Sequence, residues 1–126
     1  MRSPRLFAVA VIAVLLAGSM GATAADITGT WKATFDTQIG TQNYTYQFVV
    51  KDKTLTGKIE SDIGGKSEIH QGKVDGDQVS FVETFNYQGM DITITYTGKV
   101  VSADEIKFTR QVAEFASEEL VAKRVK

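Results

Sequence analysis

The chain contains no cysteine, one proline, one histidine and one tryptophan among its 126 residues. Each scarcity removes possibilities. Without cysteine there is no disulfide, no thiolate metal site and no lipid attachment through an N-terminal Cys. Small exported domains often rely on disulfides to offset a small core, so packing and closure must serve here instead. The one proline, Pro4, precedes the folded part, which leaves later strands free to pair without interruption. The one histidine, His70, cannot make the His-rich zinc sites that catalysis uses. Ser67 lies near it, but no third orienting group is evident, so a nucleophilic triad is not indicated.

Long apolar runs are scarce too. The one long example is Leu6 to Ala17, preceded by Arg2 and Arg5 and followed by the small residues Gly18 to Ala25. Ala22-Thr23-Ala24 and Thr23-Ala24-Ala25 both fit the small-x-small rule for a signal peptidase. Residues 1–25 therefore read as a cleaved secretory signal peptide, too short for a spanning helix. Residues 26–126 form the mature domain, one in number on length alone. Losing Arg2 and Arg5 lowers Lys plus Arg from 14 to 12 against 15 acidic residues, a net charge of about −3. That argues against nucleic acid and anionic membrane surfaces as partners, since both require a basic face. The expected location is the periplasm or the medium, with no stable membrane insertion once the leader is gone.

What the mature part has is period-two alternation. Ile27, Gly29, Trp31, Ala33 and Phe35 alternate with polar residues, as do Tyr44, Tyr46, Phe48 and Val50. Leu55 to Ile59 is a shorter third strand. Ile69 and Val74 bracket a fourth, and their opposite parity predicts a bulge near Gly72. Val79 to Tyr87, Met90 to Val100, Ile106 to Val112 and Leu120 to Val125 complete eight. Turn residues separate them: Asp52-Lys53, Gly64-Gly65, Asp75-Gly76-Asp77, Gln88-Gly89 and Ala103-Asp104. The longer connection is Ala113 to Ser117. No crossover helix is available, so the sheet is antiparallel. Gly72-Lys73-Val74 and Gly98-Lys99-Val100 echo one another at unequal spacing, as strands entering hairpins do.

Eight strands joined in order by hairpins expose two edges and one apolar face, and closing them into a barrel removes all three. The expected fold is all-β, an eight-stranded antiparallel up-and-down barrel. Its interior would be just filled by side chains or would hold one small ligand. A two-sheet sandwich is the alternative, but it usually needs longer Greek-key connections.

Gly29-Thr30-Trp31 on the first strand resembles the Gly-x-Trp of lipocalins and avidins. The mature chain also resembles small exported bacterial proteins with a lipocalin-like barrel, through that triplet, Gly72 to Asp77 and Asp104 to Arg110. The resemblance implies that Trp31 closes one end of the barrel beneath a late basic residue, Arg110 or Arg124. The second lipocalin motif, a Thr-Asp-Tyr-type turn, is absent, as is the usual disulfide. A similar barrel occurs in periplasmic inhibitors of secreted metalloproteases, which normally carry a disulfide.

Three charged residues share the inward parity: Glu83, Arg110 and Arg124. A buried charge without a partner is very costly, so Glu83 is expected to meet one of the arginines, or an arginine to stack on Trp31. Alternatively, these groups form a polar floor under an aromatic ligand pocket. Glu60, Asp62 and Glu68 gather near one turn, where paired carboxylates could serve glycoside hydrolysis. Asp75 and Asp77 supply too few oxygens for calcium. The leading expectation is a non-enzymatic protein that holds a small, partly apolar ligand in or at the mouth of the barrel. Trp31, Tyr46, Phe81, Glu83, Tyr96 and Arg110 are its candidate binding residues, and no cofactor or metal is implied. The alternative is a protein-interaction module, such as an inhibitor of an exported hydrolase, using Thr37 to Asn43 or Asp62 to Lys66. Both rest on analogy of fold.

Overall fold

Alternation of buried and exposed positions runs along nearly every strand, because successive side chains leave a pleated backbone on opposite faces. The computed structural model describes residues 23–126, so the expected leader lies outside the described residues up to residue 22. Nine strand segments follow: β1 Gly29–Thr37, β2 Gly40–Lys51, β3 Thr54–Ser61, β4 Gly65–Glu68, β5 His70–Asp75, β6 Gln78–Tyr87, β7 Met90–Ser102, β8 Glu105–Val112 and β9 Ala116–Arg124. The sheet runs β2-β1-β9-β8-β7-β6-β5-β3 and closes where β3 pairs with β2. Every pairing is antiparallel. The β4 and β5 segments are one stave, since both pair with β3. Nine segments thus make the expected eight-stranded barrel.

The stave breaks at a bulge. Lys58 faces Glu68, but Leu55 faces Gly72, a register slip of one residue. The same slip occurs against β6, between His70 and Lys73. Gln71, at φ 52°, absorbs the extra residue. This is the parity change expected near Gly72, one position earlier, and it keeps Ile69 and Val74 both facing inward.

Three expected boundaries move, the first being that Gly65 and Lys66, in the expected loop Asp62 to Lys66, already pair with β3 as the start of β4. The segment Thr37 to Asn43 is not a loop: β1 and β2 meet at the two-residue turn Gln38-Ile39, and Gly40 already pairs with Thr37. The last strand begins at Ala116 rather than Leu120, because Glu118 continues the inward row of Leu120 and Ala122. A charge at an inward position hides this start from the apolar pattern.

One end of the barrel is closed. Trp31 is fully buried there, and its indole Nε1 donates to the Ile27 carbonyl at 2.9 Å. Arg124 lies over the indole with its guanidinium carbon 4.6 Å from the ring centroid. Its nitrogens donate to the carbonyls of Ala103, Thr28 and Asp26. Gly29 makes the room: at φ +141°, a Cβ there would lie 2.9 Å from Arg124 Nη1. The Gly-x-Trp pattern thus has a local steric cause.

The middle of the barrel is filled. Tyr46, Phe48, Phe81, Tyr96 and Phe108 are each at most 2% exposed. Phe81 stacks on Tyr96 at 4.3 Å, and Phe108 stands edge-on to both at 5.6 Å. Offset and edge-to-face contacts of this kind add to the area such rings bury. Outward rows carry Thr34, Thr45, Thr95, Lys107 and Thr109, so at this level the barrel is apolar within and polar without.

Candidate functional site

Above the aromatic layer lies a polar layer. Arg110 on β8 stands opposite Tyr96 on β7 and opposite Glu118 on β9. Glu83 comes from β6, two residues beyond Phe81. Tyr44 reaches across the lumen from β2, where it is paired with Ala33 and Ser61. Glu83 and Arg110 are each only 2% exposed.

The bonds among these groups are fully assignable. Tyr44 Oη donates to Glu83 Oε2 and Tyr96 Oη donates to Glu83 Oε1, each at 2.9 Å. Arg110 Nε donates to Tyr96 Oη at 2.9 Å, and Nη2 donates to Tyr44 Oη at 2.6 Å. Tyr46 and Tyr96 hydroxyls are 2.9 Å apart. Tyr96 has one proton, already given to Glu83, so Tyr46 must be the donor of that pair. Arg110 Nη1 donates to Glu118 Oε1 at 2.5 Å, while Nη2 lies 3.8 Å from Glu83 Oε1. The guanidinium is also caged by Phe35, Tyr44 and Tyr96, at 5.2, 5.0 and 5.7 Å from their centroids.

Burial pushes the Glu83 carboxyl up from its ordinary value, while Arg110 and the two tyrosine hydroxyls pull it back part of the way. Burial works against the Arg110 charge, but the oxygens of Tyr96, Tyr44 and Glu83 outweigh it and hold its pKa above the ordinary value. The hydroxyls of Tyr44, Tyr46 and Tyr96 are all raised, chiefly by burial, so they remain protonated donors. The cation is therefore oriented by two carboxylates together with tyrosine hydroxyls that do not ionise at neutral pH.

Over this layer the barrel opens into a cleft of about 160 Å³. Arg110 and Glu118 are at its floor, and Ile39, Phe85, Tyr87, Ile92, Val112 and Phe115 contribute to its walls. Gln42, 2% exposed, is fixed at the side: its Nε2 donates to Thr37 at 3.0 Å and its Oε1 accepts from Ser61 at 3.3 Å. The four connections at this end each carry or directly adjoin an exposed apolar side chain: Ile39 (39%), Ile63 (38%), Met90 (60%) at the start of β7, and Phe115 (65%). A second recess, about 230 Å³, lies on the outer wall among Thr45, Gln47, Lys58, Glu60 and Lys66. None of those polar side chains is buried.

The six candidate residues do not form one lining. Trp31 is at the closed end, while Tyr46 and Phe81 belong to the filled middle. Glu83 and Tyr96 lie beneath Arg110 and hold it. Of the six, Arg110 borders the cleft. Both expectations for the inward arginines are realised, since Arg110 meets Glu83 and Arg124 covers Trp31. His70 is exposed beside the bulge. Among the described residues no group of His, Asp and Glu is placed to hold a metal ion. Glu118 is not among the sequence candidates, though its inward parity with Leu120 is the signal that would find it. The cleft walls Tyr87, Ile92 and Val112 were legible only as strand residues.

A scan of protein-family models, a search of curated proteins and a search of solved structures each find no match to this chain. The closed eight-stranded antiparallel barrel is consistent with the lipocalin-like architecture that Gly29-Thr30-Trp31 suggests.

Proposed function

We propose that this is an exported, non-enzymatic binding protein that takes a small, partly apolar ligand at the mouth of its barrel. One observation carries the reading: an apolar cleft ends on an ion pair, Arg110 with Glu118, whose orientation is set by a buried network beneath it. Rigid polar groups at the base of an apolar recess are how small-molecule sites fix orientation. Since the lumen at mid-height is filled by rings, the mouth rather than the interior is the place for a ligand. Its volume is below the roughly 300–1,000 Å³ of drug-sized pockets, so the ligand is small or enters by one group. Export is supported by the leader-like residues 1–25. Against membrane insertion stands the polar outer wall, the reverse of the apolar band of a membrane barrel.

The test is native mass spectrometry on protein expressed with its own leader and purified from the periplasm. An extra mass that departs on denaturation, and that Phe115→Ser reduces, supports the reading. A bare mass in both proteins counts against a carried ligand. A second reading, an interaction module for another protein, is favoured by the exposed tips Ile39, Ile63, Met90 and Phe115, because clustered exposed apolar side chains mark interaction sites. A partner would then place one side chain in the cleft, and pull-down with wild type but not with Phe115→Ser would support it.

A further inference from the structure

We infer that the mouth takes an organic cation, an ammonium-type group joined to an apolar body about the size of one benzene ring. This rests on the mouth being the binding end, and it adds the charge and size of what enters.

Size follows from the cleft. Its volume of about 160 Å³ is close to the roughly 150 Å³ of a cavity that accommodates benzene. Its walls are apolar, with Phe85, Tyr87 and Phe115 among them.

Charge follows from two separate observations. At the floor, one cation is shared by two carboxylates, Glu83 and Glu118. Arg110 has its three nitrogens engaged by Tyr96, Tyr44 and Glu118. Its side chain is 2% exposed against 11% for Glu118, so a ligand meets the carboxylate first. Glu118 Oε1 accepts from Arg110, while Oε2 accepts no hydrogen bond from the described residues. A carboxylate has room for further donors, and a ligand N–H would supply one.

At the rim, acidic side chains outnumber basic ones. Asp36, Asp62, Asp91 and Glu114 stand at this end, on strand ends and turns, with Lys66 as the nearby base. Asp36, Asp62 and Asp91 accept hydrogen bonds from Thr41, Asn43 and Asn86, which are neutral. The surface ion pairs lie at the other end: Lys53 with Asp75, Lys99 with Asp77, Lys123 with Glu105, and Arg124 and Lys126 with Asp104. The closed end thus neutralises its acids internally, and the mouth does not. Acidic groups around a low-dielectric recess focus a negative potential into it. An aromatic wall adds attraction for a cation. An anion would meet that potential with Arg110 already engaged.

The test uses three probes with one body and three charges: 2-phenylethylammonium, 2-phenylethanol and 3-phenylpropionate. Each is titrated into ¹⁵N-labelled residues 26–126 produced by export and leader removal. The readout is amide shifts at Phe115 and Glu118. The ammonium should bind about tenfold or more tighter than the alcohol, and the carboxylate most weakly. The advantage should shrink as salt rises from about 0.02 to 0.3 M. It should also shrink in Glu118→Gln, and in Asp91→Asn with Glu114→Gln, whose sites are exposed and carry no part of the core. Equal binding of all three at the mouth would overturn the charge inference while leaving the small-ligand reading intact. No mouth shift from any probe up to about 10 mM would overturn the size and charge inference, and the carried-mass experiment would then decide the broader reading alone.

Discussion

Replacing Arg110 with methionine tests the polar layer most directly. Methionine keeps an unbranched apolar stem among Phe35, Tyr44 and Tyr96 but removes the charge. Glu83, 2% exposed, would lose its cation and keep only two tyrosine donors. Tyr96 and Tyr44 would each lose the donor now at 2.9 and 2.6 Å. Glu118 would lose the donor at 2.5 Å. Removing one partner of a buried pair costs about 3–5 kcal/mol, because the other charge stays behind. Against a total stability of about 5–15 kcal/mol, that is a large fraction. For a domain of this size it corresponds to a fall in Tm of roughly 15–25 °C. The double variant Arg110→Met with Glu83→Gln should recover about 1–3 kcal/mol, because it also removes the stranded charge. Urea unfolding followed by Trp31 fluorescence measures both, with an unchanged m value as the sign of a common unfolded state. Trp31 is the sole tryptophan and is buried at the other end of the barrel, so it reports global unfolding. A loss below about 1 kcal/mol in the single variant, or a double variant no more stable than the single, would refute the closed network.

Four further outcomes follow from the same geometry. Glu83 is held above its ordinary value of 4.5 by burial, so the folded state binds its proton more tightly than the unfolded chain does. That contribution is full below the unfolded value and is lost as pH rises through the higher folded value. Wild type should therefore lose stability relative to Glu83→Gln as pH rises from about 4 to 7, and a gain would contradict the assignment. Gly29→Ala should cost about 1–3 kcal/mol, and less in an Arg124→Ala background, because the crowding atom is Arg124 Nη1; strictly additive losses in a double-mutant cycle would argue against this. Phe81→Ala should cost about 3–5 kcal/mol by chemical denaturation, whereas a loss under about 1 kcal/mol would mean that the lumen is not filled. Phe115→Ser should leave stability within about 0.5 kcal/mol, since the ring is 65% exposed; a larger loss would make Phe115 part of the core instead of the mouth.

Much of the architecture was legible because alternation is a property of the pleat and needs no tertiary knowledge. Trp31, Tyr46, Phe81 and Tyr96 announce their inward faces by parity, and the slip between Ile69 and Val74 announces the bulge. The gaps have equally local causes. Glu118 interrupts an apolar row, so parity alone starts the last strand at Leu120. Gly40 and Thr41 look like turn residues, although pairing with Thr37 and Asp36 makes them strand.

By itself, then, the sequence determined which residues face inward, how many strands there are, and that three charges must be reconciled with an interior. Which charges meet was decided only by the closed sheet. Tyr44 and Glu83 are 39 positions apart, and Tyr44 and Arg110 are 66 apart. Their meeting depends on register and on the stagger of strands around the barrel, and no local pattern of side chains encodes either. The same closure puts four turns at one end, and so makes a cleft over Arg110 and Glu118 from segments that never adjoin along the chain.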